Sequence, residues 1–212
     1  MSKPQTKPRP DPALAAPLAS LAAGDPDLAR ALASCGLPPR RSGGRGFSGL
    51  LRIIVAQQVS TASARAILNR LKEPLPRATP RAFLRLTDAQ LKAAGFSAPK
   101  VRYARALAED ILAGRISPAG LADLDDEAAI AHLTAAKGIG RWSAEIYLLF
   151  SLRRPDILPA GDLALQVAAQ RLKRLESRPD DKALRALGEA WRPHRSAAAR
   201  LLWHLYRQPG II

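Results

Sequence analysis

The short link Lys137-Gly138-Ile139-Gly140 joins two apolar stripes and is the segment of this sequence with the clearest chemical potential. Two glycines in so short a link permit positive φ angles and a tight reversal between helices. The backbone N–H groups of Gly138, Gly140 and the first turn of the next helix would then form an anion site, which the helix dipole strengthens. Ile139 is expected to lie beneath the turn. The same pattern also fits an ordinary short connection between two helices.

Other polar residues offer weaker candidates. Asp162 follows a glycine and precedes an apolar helical pattern, which is typical of a helix N-cap. Gln57 and Gln58 interrupt an apolar helix, and the Val-Ser-Thr that follows indicates a break that exposes them. The histidines have no spacing typical of metal ligands. Four acids before the link are predicted to be charges of a helix N-terminus rather than metal ligands: Asp123, Asp125, Asp126 and Glu127.

The elements that position these residues are predicted to be helices almost throughout the chain. Alanine, leucine and arginine dominate, and all three favour helices. No run combines two-residue alternation with β-branched residues, and glycine and proline mark nearly every junction. We predict about eight to ten helices, the first near residues 26–34. Helices around the candidate residues are expected at 47–55, 126–136, 141–151 and 162–175.

The length, net charge and cysteine content of the sequence limit the classes of protein to which it can belong. The 212 residues carry 33 Lys and Arg against 18 Asp and Glu, a formal net charge of +15. The length predicts one domain or two joined lobes, preceded by a disordered basic tail at residues 1–12. The single Cys35 excludes a disulfide framework and thiolate-bound zinc or iron–sulfur clusters. No early apolar stretch approaches the roughly 20 residues of a membrane span, so the surplus charge indicates a polyanionic partner.

Four ordered segments between about residues 47 and 206 resemble the helix–hairpin–helix DNA glycosylase superfamily, and within it the 3-methyladenine DNA glycosylase II (alkylpurine) branch. They are FSGLLRIIVAQQVSTASARAI, LKAAGFSAPKVRYARALAEDI, LTAAKGIGRWSAEIYLL with Asp162 downstream, and WRPHRSAAARLLWHLY. The resemblance implies an all-α, two-lobed helical glycosylase fold with a helix–hairpin–helix DNA-binding motif. The glycosylase domain would fill residues 13–212.

The resemblance also implies roles residue by residue. Asp162 falls on the family's catalytic aspartate. Trp142 falls on an aromatic residue of the base pocket, at the position where relatives with lyase activity carry a Schiff-base lysine. His194 falls on a second pocket position, where some relatives carry tryptophan. Gln58 falls on the residue that fills the gap left by a flipped nucleotide, and Gln57 precedes it.

The chemical type of other residues adds candidates to the base pocket and to the DNA-binding surface. Tyr147 and Trp191 are further candidates for an electron-rich base pocket, whereas Trp203 and Phe150 are predicted to be core residues. The predicted DNA-binding set is Gln57, Gln58, Lys137, Gly138, Ile139, Gly140, Arg141 and Arg195.

In the family, hairpin carbonyls often hold a monovalent cation. Here these would belong to Thr134, Ala136 and Ile139 and would hold Na⁺ or K⁺, and no cofactor is expected to be required.

These implications predict a monofunctional DNA glycosylase that flips out and excises alkylated purines, such as 3-methyladenine, in base excision repair. No abasic-site lyase activity is expected, because the indole of Trp142 cannot form an imine. The expected partner is double-stranded DNA with a damaged base, bound by a cytoplasmic, nucleoid-associated monomer without a membrane. Two alternatives stay open: a noncatalytic DNA-damage-binding module, and a glycosylase for another lesion such as a deaminated base, which His194 favours.

Overall fold

The computed structural model describes residues 9–41 and 43–208. Within these residues the fold contains no β-strand, which confirms the prediction of an all-α protein. The described α-helices are α1 (Ala15–Gly24), α2 (Pro26–Cys35), α3 (Gly46–Ala56), α4 (Thr61–Leu71), α5 (Pro80–Leu84), α6 (Asp88–Ala94), α7 (Ala98–Leu112), α8 (Asp126–Thr134), α9 (Arg141–Tyr147), α10 (Leu163–Lys173), α11 (Asp181–Gly188) and α12 (Arg195–Tyr206). A π-helical turn, Leu148–Leu152, continues α9. Helices outnumber the eight to ten predicted, and α1 was missed.

The helices group into two compact units, as the two-lobed prediction required. The discontinuous unit combines the described parts of Met1–Ser42 and Arg153–Ile212, and it holds α1, α2, α10, α11 and α12. The continuous unit is Gly43–Leu152 and holds α3 to α9. Each unit has its own core of buried apolar residues.

Helix α3 is the centre of the continuous unit. Its sequence GFSGLLRIIVA is apolar around most of its circumference, which is the pattern of a buried helix. It packs against α4, α7 and α9, and Leu50, Ile54 and Val55 are fully buried. Phe83 packs edge-on against Phe47, with ring centroids 5.6 Å apart. This rigid helix carries the chain directly into the turn that contains the two candidate glutamines.

Helix α12 has the same role in the discontinuous unit. It packs against α10, α1 and α2, and its consecutive alanines at positions 197–199 are buried. Small side chains at these positions let the neighbouring helices approach closely. Leu201 and Leu202 complete the buried face of α12. Helix α12 thereby braces α10, whose N-terminus carries Asp162.

The predicted disordered tail ends earlier than expected. Asp11 is buried, caps the short 3-10 helix Pro12–Leu14 and forms an ion pair with Arg200 at 2.8 Å. Arg9 accepts a backbone hydrogen bond from Arg40. The prediction is therefore wrong for residues 9–12, because a partner nearly 190 positions away in sequence was not visible locally. Residues 1–8 of the predicted tail lie outside the described residues.

A partly buried ion cluster centred on Asp25 stabilises the discontinuous unit. Its carboxylate caps α2 through the backbone N–H groups of Asp27 and Leu28. It also accepts hydrogen bonds from Lys173 Nζ at 2.7 Å and from Trp191 Nε1 at 3.0 Å. Burial alone would raise the pKa of Asp25, but the hydrogen bonds from Lys173, Trp191 and Leu28 together hold the pKa below its ordinary value.

Replacing Asp25 by asparagine is expected to lower the free energy of unfolding by about 2 kcal/mol at pH 7, because Lys173 loses a charge partner in a largely buried site. The difference from the wild type should shrink as the pH falls below about 4. A carboxyl group with a depressed pKa contributes its stabilisation above its unfolded pKa and loses it in acid. Denaturant unfolding of both proteins between pH 2.5 and 7 measures this.

Asp180→Asn is the matched control, because Asp180 is an exposed N-cap of α11 that accepts from Ala183 N. Asparagine caps helices as well as aspartate does, so this variant should change stability by less than about 0.5 kcal/mol. Equal losses in the two variants would assign the effect at Asp25 to capping alone.

Within the described residues, no helix combines the length and the apolar character that crossing a bilayer requires.

Candidate active site and nucleic-acid interface

The glycine link forms the predicted tight hairpin between α8 and α9. Ile139 N donates to Ala136 O at 3.0 Å, and Gly138 has a φ of +88°. Ile139 is buried beneath the turn, as predicted. Helix α9 then begins at Arg141 with Gly140 as its N-cap residue. The backbone N–H groups of this region therefore lie at the N-terminus of a helix, where an anion is favoured.

Gly138 is required here for two independent reasons. Its positive φ disfavours any residue with a Cβ. A Cβ built at this position would also lie 2.4 Å from Tyr103 Cγ, because the Tyr103 ring covers the turn. Tyr103 lies on α7 and is missing from the predicted set. Its distance of 35 positions from Gly138 leaves no local signal in the sequence.

The hairpin borders a surface depression of about 630 Å³ within the continuous unit. Its lining includes predicted DNA-binding, base-pocket and cation residues together with Tyr103 and Ser143: Gln57, Gln58, Tyr103, Thr134, Ala136, Lys137, Gly138, Ile139, Gly140, Trp142 and Ser143. The structure therefore gathers nine predicted site residues on one surface. Lys137 is exposed there, and Trp142 is half-buried.

The turn after α3 presents one of the two glutamines to solvent. Gln57 is extended, with φ −60° and ψ 133°, and ends α3. Gln58 follows with a φ of +55° and is exposed. A left-handed conformation costs a residue with a side chain roughly 1–2 kcal/mol, so neighbouring contacts must hold this turn. The side-chain amide of Gln57 points inward, where its Nε2 donates to Gly138 O at 2.9 Å and to Ser143 Oγ at 3.0 Å.

A buried lysine lies beneath the same turn. Lys100 Nζ donates to Val55 O at 2.7 Å, near the C-terminus of α3. A cation at this end of a helix is favourable for the helix dipole. Burial of the ammonium group lowers the pKa of Lys100 below its ordinary value. Lys100 was not among the predicted residues, since a lysine at the start of a helix normally indicates a solvated face.

Arg141 forms ion pairs with two acidic side chains of the same unit. Its guanidinium donates to Glu127 through both terminal nitrogens and to the buried Glu145 through Nε at 3.0 Å. The hydrogen bond to Glu127 is the main reason why the pKa of Arg141 lies above its ordinary value. A phosphate at Arg141 would therefore compete with Glu127. Glu127 is in the first turn of α8, as predicted.

Tyr147 is not a base-pocket residue. It is fully buried in the continuous unit, and its hydroxyl oxygen accepts a hydrogen bond from Gly46 N at 2.8 Å. Burial raises the pKa of Tyr147. The prediction is wrong because Tyr147 lies five positions after Trp142, which places the two side chains about 140° apart around α9. Only Trp142 faces the hairpin depression.

Asp162 lies at the N-terminus of α10 in the discontinuous unit. Its Oδ1 accepts hydrogen bonds from Ala164 N at 2.9 Å and Leu165 N at 3.2 Å, which confirms the N-cap. The same oxygen accepts from Trp203 Nε1 at 3.1 Å. The side chain is half-buried. Three donors thus orient a partly exposed carboxylate, which is a suitable arrangement for stabilising a nearby positive charge.

Trp203 has a second role beside the predicted one. Its ring is buried, as expected of a core residue, but its N–H group is directed at Asp162. The spacing of 41 residues between them hides this contact from sequence reasoning. Trp203 therefore positions Asp162.

Trp203→Phe is expected to keep the core filled and to reduce the function of Asp162. Removal of one uncharged donor to a carboxylate costs about 1.5–3 kcal/mol when the bond is strong. For the base release that the resemblance implies, we therefore expect a fall in the single-turnover rate of about tenfold or more, with DNA affinity within twofold of the wild type. Rates on a methylated duplex and binding to an abasic duplex provide the two values. An unchanged rate would show that Trp203 is a core residue only.

Two further predictions in the discontinuous unit are wrong. Trp191 is fully buried, and its Nε1 donates to Asp25, so its ring has no open face for a stacked base. Arg195 is 13% exposed and is bound to Asp156, with Nε 2.9 Å from Oδ1. Its side chain completes this internal ion pair instead of facing a phosphate. In both residues the partner acid lies more than 35 positions earlier in the chain.

His194 is half-buried immediately before α12. Its backbone N–H donates to Trp191 O at 2.8 Å, and a cis peptide bond joins Arg192 to Pro193 just before it. The backbone of this candidate pocket residue is therefore fixed by the turn that starts the helix.

The three residues whose carbonyls are expected to hold a monovalent cation lie together at the hairpin. Thr134, Ala136 and Ile139 border the same depression. Ala136 O accepts from Ile139 N but, as a carbonyl oxygen, keeps a second lone pair. Within the described part of the chain, no group of three or more His, Cys, Asp or Glu residues could hold a metal ion. A cation at the hairpin would depend on backbone oxygens, and its binding stays a prediction.

An all-α fold in two units, a glycine hairpin and an aspartate at a helix N-terminus define the class of this protein. The chain belongs to the HhH-GPD superfamily of base excision DNA repair proteins, whose family model matches residues 51–193. The resemblance inferred from the sequence is thereby confirmed.

Individual relatives point to one branch of that superfamily. Over 163 residues the chain is 36% identical to DNA-3-methyladenine glycosylase 1 of Schizosaccharomyces pombe, an alignment that covers 74% of this chain and 71% of the relative. The solved structure of S. pombe 3-methyladenine DNA glycosylase in complex with abasic DNA superposes with a TM-score of 0.80 at 33% identity, over 89% of this chain and 95% of that one. DNA-3-methyladenine glycosidase from Bacillus halodurans superposes with a TM-score of 0.78 at 32% identity, over 88% and 87%.

Proposed function

We propose that this protein is a monofunctional DNA glycosylase that excises alkylated purines, 3-methyladenine among them, by hydrolysis of the N-glycosidic bond in base excision repair. The observation that carries the proposal is the carboxylate of Asp162, capped onto α10 and bound by Trp203, in a chain that also carries the glycine hairpin. The names of the relatives at 33–36% identity support the choice of substrate.

Asp162 would act on the sugar. Breaking the glycosidic bond sends the bonding electrons to the base and leaves an oxocarbenium-like sugar. A carboxylate near that sugar stabilises the positive charge and can accept a proton from the attacking water. An N-alkylated purine is already cationic and leaves as a neutral base, so a single carboxylate is sufficient.

The continuous unit would hold the DNA. The backbone N–H groups around Gly138 and Gly140 would form an anion site beside the exposed Lys137, since these residues line the same depression. Flipping a nucleotide out of a duplex leaves a gap and costs a few kcal/mol of unstacking. Gln58, exposed on the turn after α3, would fill that gap.

Trp142 and His194, each within its own unit, are the candidates for base recognition that remain after Tyr147 and Trp191 are removed. The half-buried indole of Trp142, which lines the hairpin depression, would stack on a cationic base. Such a cation–π contact contributes about 0.5–2 kcal/mol. The same indole, at the position of the lyase lysine in relatives, supports a hydrolytic reaction without strand cleavage. The proposed partner is damaged double-stranded DNA, bound by a monomeric, nucleoid-associated cytoplasmic enzyme.

A substrate panel with one preparation of the protein tests this proposal. Duplexes would carry 3-methyladenine, 7-methylguanine, hypoxanthine, uracil or an abasic site, and released bases would be identified by mass spectrometry. Release of the methylated purines supports the proposal. Release confined to hypoxanthine or uracil would favour a deaminated lesion. Tight binding to the abasic duplex without release of any base would favour a noncatalytic damage-binding module.

A further inference from the structure

The two neighbouring glutamines of the turn after α3 have opposite orientations. Gln58 is exposed, whereas the Nε2 of Gln57 donates to Gly138 O and Ser143 Oγ, more than 80 positions away. A backbone carbonyl only accepts hydrogen bonds, so the group of Gln57 that faces Gly138 O must be the NH₂. Both donors of this amide are therefore used within the protein, and they are not presented to a ligand.

Helix α7 supports both ends of this connection from behind. Lys100, in its first turn, donates to Val55 O and holds the end of α3. Tyr103 lies three residues later, on the same side of the helix, and its ring covers Gly138. The turn and the hairpin are thus fixed to one helix and joined directly by Gln57.

We infer that Gln57 is a positioning residue that links the turn carrying Gln58 to the hairpin, and that it does not itself contact DNA. This reassigns Gln57, which was predicted to bind DNA. The inference rests on the proposed function in one respect, because the linked parts are the proposed gap-filling residue and the proposed phosphate site. The link would keep Gln58 at a fixed distance from the phosphate site of the hairpin. Gln58 could then fill the gap in the duplex while the hairpin binds the phosphate of the flipped nucleotide.

Hydrogen exchange in the DNA-free full-length protein tests the link without any reference to catalysis. Gln57→Glu has nearly the same shape but no N–H donors, and it places an anion against Gly138 O. We expect amide exchange to rise about tenfold or more in both segments, 57–60 and 138–143, while the melting temperature of the protein identifies any global loss of stability.

Gln58→Glu is the matched control, since it makes the same chemical change on the adjacent, exposed side chain. Its exchange rates in both segments should stay within about twofold of the wild type. Unchanged exchange at 138–143 in Gln57→Glu would overturn the link, and so would equal acceleration by Gln58→Glu.

A double-mutant cycle on DNA tests the positioning role. We would measure the preference for an abasic duplex over an undamaged duplex for the wild type, Gln57→Ala, Gln58→Ala and the double variant. If Gln57 acts through Gln58, the double variant should lose no more preference than Gln58→Ala, within about twofold. If the two losses multiply, Gln57 contacts DNA independently and the inference is wrong.

These measurements separate the inference from the proposed function. A wild type that releases no alkylated purine would contradict the proposed function, while exchange and the binding cycle would still decide the role of Gln57. A wild type without any preference for the abasic duplex would overturn the DNA-positioning half of the inference.

Discussion

Asp162→Asn is expected to lower the single-turnover rate of alkylpurine release by about 10²–10⁴-fold, the usual effect of removing a catalytic acid or base. Asparagine keeps an oxygen that can accept from Ala164 N, Leu165 N and Trp203 Nε1. The variant should therefore fold normally. Its loss of rate would then report the missing negative charge.

Binding measurements separate chemistry from recognition in this variant. Affinity for an abasic duplex should stay within a few-fold of the wild type, and the melting temperature should change little. Asp180→Asn, at an exposed N-cap of α11, provides the control for an aspartate-to-asparagine change at a helix start. Release at the wild-type rate by Asp162→Asn would show that another group performs the chemistry.

Gly138→Ala is expected to have the second large effect. Alanine at this position would have to adopt a positive φ, which costs a residue with a Cβ about 1–2 kcal/mol. It would also overlap the Tyr103 ring, with only 2.4 Å to Cγ, and overpacking typically costs 1–3 kcal/mol. We expect a combined loss of about 2–5 kcal/mol, seen as a fall in melting temperature of roughly 4–20 °C for a protein of this size. DNA affinity should fall for damaged and undamaged duplexes alike, because phosphate contacts do not depend on the lesion.

Gly140→Ala is the matched control for the stability effect at Gly138. Gly140 has a φ of −87°, and a Cβ built there meets no atom within 4 Å. The variant should therefore retain wild-type stability within about 1 kcal/mol. A large loss of stability in Gly140→Ala, or none in Gly138→Ala, would contradict the positive φ of Gly138 and its close approach to Tyr103.

Most of the fold follows from local patterns in the sequence. The expected helices at 47–55, 126–136, 141–151 and 162–175 all occur, with boundaries that shift by a few residues. Helix α1 was missed because Pro17 and the absence of charge in Ala15–Gly24 obscured its pattern. Proline is tolerated in the first turn of a helix, where its missing N–H has no helical partner.

The hairpin was predictable because all of its parts lie within a few residues of one another. Gly138, Ile139 and Gly140 occupy the expected positions. Tyr103 and Trp203 were missed as partners of the site because their contacts join positions 35 and 41 residues apart. Such contacts arise from helix packing, which residue spacing does not reveal.

The predicted roles that proved wrong share a physical cause. Tyr147, Trp191 and Arg195 were chosen for their chemistry, but each has an internal hydrogen-bonding partner that withdraws it from solvent. Large aromatic rings and arginines are common in both cores and binding sites. Chemical type alone therefore did not distinguish the two environments.

The most direct test of alkylpurine excision is to identify both products formed from a duplex containing one 3-methyladenine. We predict free 3-methyladenine, an unbroken strand with an abasic site in equal amount, and no covalent protein–DNA adduct after borohydride reduction. Loss of the methylated base should require Asp162. An intact lesion after prolonged incubation with excess protein would contradict alkylpurine excision, and a borohydride-trapped adduct would contradict the hydrolytic, lyase-free mechanism.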